Sequence, residues 1–197
     1  MSAFQLVLYT VTFAKVPVLG SVRSVTESHV LVTLEDGVAT HQTCSVEVRA
    51  QLARTRMPDA FISALPVLTY PLDLSDAFEA DLGPVAVGYD PAGPFPEHAD
   101  EASDTDGDGQ AGVTVVLEIP LLGEVEMRVA QLSHIVLRGE RVGPQRWEGT
   151  AELVEFKQIL LATDNPLLTS HPPVEPGVGR FTLEALEGAT TCRDLSR

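Results

Sequence analysis

The chain has 197 residues, of which 44% are apolar, and carries 28 acids against 13 bases for a net charge of −15. That length suits one domain with a core that needs no staples, and the apolar share excludes wholesale disorder. The charge disfavours nucleic acid and anionic membrane surfaces, and no apolar run reaches the ~18–20 residues of a spanning helix.

Residues 1–14 (MSAFQLVLYTVTFA) lack a basic leader, and Gln5, Tyr9, Thr10 and Thr12 interrupt the apolar run. They read as a strand rather than a signal peptide. Val30, Val32 and Leu34 alternate with Leu31, Thr33 and Glu35, and Asp36-Gly37 follows as a hairpin turn. Cys44, Val46 and Val48 alternate on the return. Residues 59–65, just after Pro58, predict about two helical turns. Residues 113–119 read as a buried strand. Met127, Val129, Gln131 and Ser133 share one face of the next. Trp147, Gly149, Ala151 and Leu153 oppose Arg146, Glu148, Thr150 and Glu152. Residues 152–162 have some helical character, but the preceding alternation argues that the strand continues. Phe181, Leu183 and Ala185 mark a last strand.

The expectation is an all-β single domain spanning residues 1–197. About eight strands form an antiparallel meander that closes as a lipocalin-like barrel or folds as a sandwich. Glycine and proline cluster in residues 83–96 and 166–179, which read as irregular connections. The first runs into an acid cluster, so residues 83–112 are expected to form one long acidic loop. A loop of that length inside a domain is usually functional, metal-stabilised or disordered.

The charge excess is local. Residues 57–126 hold 15 acids and no Lys or Arg, while the rest has 13 acids and 13 bases. Asp59, Asp73, Asp76, Glu79 and Asp81 read as a solubilising surface. Six acids within residues 97–108 are too dense for that reading alone; their repulsion favours disorder or a bound cation.

Asp104-Thr105-Asp106-Gly107-Asp108-Gly109-Gln110 has the spacing D-x-D-x-D-G. Carboxylates at the first, third and fifth positions of a tight loop converge on one hard cation, glycine at the sixth permits the reversal, and the seventh residue supplies a backbone carbonyl. The metal ligands are therefore expected to be Asp104, Asp106, Asp108 and Gln110, with calcium as the ion. Magnesium is disfavoured because it rarely takes an all-protein cage. The segment resembles the first half of an EF-hand loop, and also the aspartate loops of thrombospondin type 3 repeats and dockerins. It departs from the EF-hand at the twelfth position, where Val115 stands in place of a bidentate Glu. The remaining ligands must come from elsewhere, with Glu97, Asp100, Glu101 and water as the candidates. The order of aspartate loop, Gly112 and Val113-Thr114-Val115 also resembles uncharacterised secreted proteins and lipoproteins of myxobacteria and related bacteria. That resemblance implies an exported β domain and transfers no activity.

Cys44 and Cys192 lack the spacing of a zinc or thioredoxin site. In an exported chain they read as a disulfide joining the tail to an early strand. Export, whether secreted, periplasmic or at the cell surface, implies a signal segment already removed. Histidines 29, 41, 98, 134 and 171 form no HxH or HExxH motif. His29 and His41 could meet across the Asp36-Gly37 hairpin, although separate surface positions are the commoner arrangement. Glu148 and Glu152 share a strand face, which would serve acid–base chemistry inside a barrel and solvation outside it. The expected function is a non-enzymatic, exported, calcium-binding β domain that holds a small apolar ligand or contacts an extracellular or periplasmic protein. The alternative is a calcium-dependent hydrolase acting on polysaccharide or lipid.

Overall fold

The computed structural model describes every residue except 17–19, 52, 121–122, 167–172, 189–190 and 196–197. The described chain is all-β. Its elements are β1 (Ser2–Val16), β2 (Gly20–Glu35), β3 (Val38–Ala50), β4 (Arg54–Arg56), α1 (Asp59–Ala64), β5 (Leu68–Pro71), β6 (Ala77–Val87), β7 (Val113–Ile119), β8 (Gly123–Gly143), β9 (Arg146–Thr163) and β10 (Val174–Ala185). The opening segment is a strand, as its interrupted hydropathy predicts. The ambiguous residues 152–162 continue β9.

The named strands pair antiparallel, and eight of them close a barrel-like ring in the order β1, β2, β3, β4, β7, β8, β9, β10 and back to β1. The remaining two flank it, β5 on β3 and β6 on β8. The hairpin between β2 and β3 turns at Asp36 and Gly37, with φ of 50° and 78°. Both central residues have positive φ, as the primed hairpin turn requires, and Asp-Gly tolerates that best.

Alternation fills the ring from two directions. At one end Phe4, Leu6, Val30, Val32, Leu137, Trp147 and Phe181 form an apolar interior. Trp147 packs edge-on against Phe4 at 6.1 Å, and its indole N–H donates to the Ser75 carbonyl at 2.9 Å. The other end has a smaller cluster in which Phe61 of α1 meets Val87, Val113, Val115 and Val129. The short helix thus contributes its one buried side chain to that end.

Two sequence boundaries need correction. Residues 83–87 belong to β6 rather than to the loop. Gly83, at φ 73°, takes up a register shift between Asp81 and Pro84, so a Gly-Pro pair that reads as a terminator is carried as a bulge. The long loop is therefore residues 88–112. Likewise residues 174–179, expected to be irregular, belong to β10. Over residues 174–177 β10 pairs with β1 alone, its pairing with β9 beginning at Val178, so Pro176 withholds no N–H from a two-sided ladder. Residues 167–172 of that expected connection, with His171, lie outside the described residues.

Cys44 and Cys192 form a disulfide with their Cα atoms 5.2 Å apart. Cys44 is the extra residue at a register shift between β2 and β3, where Thr43 pairs with Val30 and Ser45 with His29. A bulge re-aims a side chain, and here it presents the sulfur to the C-terminal segment.

Candidate metal centre

The loop of residues 88–112 leaves β6 and re-enters the sheet as β7. Its neck is tied by backbone bonds: Ser103 N–H donates to the Gly88 carbonyl at 3.0 Å and Gly112 N–H to the Ser103 carbonyl at 3.0 Å. Gly88 N–H donates to the Thr105 hydroxyl at 3.0 Å. The neck presses on β8. A Cβ on Gly88 would lie 2.5 Å from the Val129 carbonyl oxygen, and one on Gly112, at φ 100°, would lie 2.6 Å from Leu161 Cδ1. Backbone excludes a side chain at Gly88, and at Gly112 the left-handed φ disfavours one. The loop also carries its own apolar footing, since Tyr89 and Pro96 are buried and Phe95 packs edge-on against Tyr89 at 5.4 Å.

The tip is built from carboxylate-to-backbone hydrogen bonds. Asp104 Oδ1 accepts from Gly107 N–H at 2.7 Å and Oδ2 from Gly109 N–H at 2.8 Å. Gly107 and Gly109 have φ of 76° and 83°, which is why glycine stands at both reversals. These donors, Gly109 foremost with help from Gly107 and Asp108, hold the Asp104 carboxyl below its usual range. Asp108 Oδ1 accepts from Gln110 N–H at 2.8 Å. Asp106 Oδ2 accepts from Thr114 N–H at 2.9 Å, and the Thr114 hydroxyl donates to Asp108 Oδ2. The first residues of β7 therefore brace the two later aspartates.

The outcome is one group of ligand-capable atoms. A carboxylate oxygen from each of Asp104, Asp106 and Asp108 lies within 4.8 Å of the others. This cluster could hold a metal ion. Asp106 Oδ1 adds a test of fit, because it is buried and has no hydrogen-bond partner among the described residues. A desolvated carboxylate oxygen without a donor is costly, and a cation is one group that would satisfy it. Three hard oxygen donors suit calcium or magnesium better than a soft metal.

Other residues fall elsewhere. Gln110 N–H binds Asp108, and Gln110 lines a groove of about 190 Å³ with Glu126, Arg128 and Asp164. Glu97, Asp100 and Glu101 do not join the cluster found among the described residues. Glu101 instead accepts from Glu97 N–H at 2.8 Å, closing its own short turn. Thr114, Thr105 and Ser103 carry much of the bracing and were not singled out from sequence. Thr105 and Thr114 lie inside and just beyond the motif, a position that is the only sequence signal for them.

The histidine pair does not form. His41 points inward, is 4% exposed, and lies 3.4 Å from the Tyr70 hydroxyl. Burial pushes its pKa down to about 4. His29 faces the other way, with Nε2 3.1 Å from Glu27 Oε1 and Nδ1 3.4 Å from Gln5 Nε2. Both of its ring nitrogens are occupied. Glu148 and Glu152 are exposed, and each pairs with an arginine: Arg146 with Glu148 at 2.6 Å, and Arg138 with Glu152. Their strand face is outward.

No family model, curated protein or solved structure matches this chain.

Proposed function

We propose that the protein is a non-enzymatic, exported β domain whose 88–112 loop binds one calcium ion through Asp104, Asp106, Asp108 and the Gln110 carbonyl. The observation that carries this reading is the convergence of the three carboxylates within 4.8 Å of one another, together with a buried Asp106 oxygen that has no hydrogen-bond partner among the described residues. Water completes the shell, since calcium takes about 6–8 oxygens and Glu97, Asp100 and Glu101 do not join the cluster among the described residues. The ion neutralises the repulsion among the three aspartates and locks the loop tip to Thr114, so its effect is to order a surface beside the Glu126–Arg128 groove. The Cys44–Cys192 disulfide supports an oxidising location, and no described helix is long and apolar enough to cross a membrane. The non-enzymatic part rests on Glu148 and Glu152 facing outward in arginine pairs. A secreted or lipid-anchored module contacting an extracellular or periplasmic protein, or a small apolar ligand, is the role that fits.

Calorimetric titration of chelator-treated protein tests this. The expected result is one calcium per chain, with magnesium binding at least about tenfold more weakly. Absence of calcium binding at millimolar concentration would sink the proposal.

A further inference from the structure

Where β1, β10 and β9 lie side by side, Tyr9, Arg146, Glu148, Arg180 and Thr182 line an open groove of about 450 Å³. Small-molecule sites commonly have that volume. The register places these side chains in neighbouring rows, with Tyr9 opposite Arg180 and Thr182 opposite Glu148. Phe181, between Arg180 and Thr182, is buried in the ring interior. Successive side chains point to opposite faces, so Arg180 and Thr182 stand on the outer face of the ring.

The backbone is irregular at this point. The β1–β10 register shifts just past the Tyr9–Arg180 pair, between Tyr9 and Val11, and a bulge re-aims side chains. A Cβ on Gly179 would lie 1.9 Å from the Tyr9 carbonyl oxygen, so glycine is what lets the two strands come this close. Beside that contact the Arg180 guanidinium lies over the Tyr9 ring, 5.1 Å from its centroid. The other charges in the groove are balanced: Arg146 donates twice to Glu148 Oε1, at 2.9 and 2.6 Å. Arg180 is exposed and has no carboxylate partner among the described residues. The groove therefore carries an uncompensated positive charge in a chain of net charge −15.

We propose that this groove binds a saccharide bearing a carboxylate, a uronic acid, with Arg180 holding the carboxylate. A guanidinium laid flat on an aromatic ring offers its N–H groups as a planar fork, which matches a carboxylate. The Thr182 hydroxyl and the Arg146–Glu148 pair supply donors and acceptors together, which match the hydroxyls of a sugar ring. A phosphate dianion would meet the Glu148 carboxylate, and a neutral sugar would leave the Arg180 charge unused. This inference stands apart from the metal reading, since no residue of the 88–112 loop lines the groove.

Calorimetric titration of the full chain with trigalacturonic acid, in calcium-free buffer, tests it. A dissociation constant of about 1 mM or tighter is expected. Arg180→Gln is expected to weaken binding at least about tenfold. Arg180→Lys keeps the charge but loses the planar fork, and is expected to weaken binding as well. Far-ultraviolet dichroism checks that both variants keep the parent's β signal, as an exposed position should allow. No binding by the parent, or undiminished binding by Arg180→Gln, overturns the proposal. Parent-like binding by Arg180→Lys would mean general charge attraction rather than a shaped site, and overturns it too. Maltotriose binding as tightly as the uronate would show that the carboxylate is not read. Triglutamate or inorganic phosphate doing so would show that the sugar is not read. Each of those results also overturns the proposal.

Discussion

At the Trp147 end of the ring, order comes from apolar side chains that exclude water: Phe4, Leu6, Val32, Phe181 and the indole itself. In the 88–112 loop, order comes from carboxylates that accept backbone N–H groups: Asp104 from Gly107 and Gly109, Asp106 from Thr114, Asp108 from Gln110. The first region depends on shape and volume and is indifferent to ions. The second depends on three negative charges held within 4.8 Å, and so on whatever neutralises them. One chain thus carries an apolar scaffold and, on the proposed reading, a surface feature tuned by cations.

The sharpest break in that contrast is Trp147→Ala. The residue is 5% exposed, packs on Phe4, donates to Ser75 and lies under the Arg141 guanidinium at 4.8 Å. Its removal is expected to cost about 3–5 kcal/mol. Urea unfolding should give the same loss in calcium and in chelator. A loss that depends on calcium would mean the two regions are coupled.

His41 probes the same core by pH. Unfolded, it takes a proton near pH 6.5; folded, only near pH 4. Its folded pKa is depressed, so the neutral ring is favoured above pH 6.5. Stability falls as the pH drops through the window between the two values, by about 3 kcal/mol at its lower end. His41→Leu should remove that share of the acid sensitivity, read as the parent-minus-variant difference in unfolding free energy at pH 7 and pH 4. An unchanged difference contradicts the buried, neutral assignment.

Gly112→Ala is the smaller, local counterpart. It places a Cβ against Leu161 and Val129 at φ 100°. The expected cost is about 1–3 kcal/mol, accompanied by weaker calcium binding because the loop neck shifts. Stability lost with calcium affinity intact would show that the neck does not position the aspartates.

Alternation made the ring legible. β2, β3, β8, β9 and β10 can be read from period-two patterns, because one face of each is buried, and β7 from a short, nearly continuous apolar run. Ring closure was not legible, since nothing in a period-two pattern says which distant strand pairs with which. β6 was hidden by Gly83-Pro84, where a bulge carries a pair that usually ends a strand. The start of β10 was hidden by Pro176, tolerated because β9 is not its partner there. At the site, D-x-D-x-D-G fixed which carboxylates converge, because the spacing itself imposes the bend. The bracing by Thr114 and the burial of Asp106 Oδ1 were not legible, because both depend on where β7 starts. The acids at positions 97, 100 and 101 misled as possible ligands: nearness in sequence placed them in a turn of their own.

The central claim is best tested by thermal melting of the parent and an Asp106→Ala/Asp108→Ala double variant, each with calcium and with chelator. Calcium at about a hundredfold over its dissociation constant is expected to stabilise the parent by about 2.7 kcal/mol and to leave the variant's melting temperature where chelator leaves it. An equal response to calcium in both proteins would contradict the account.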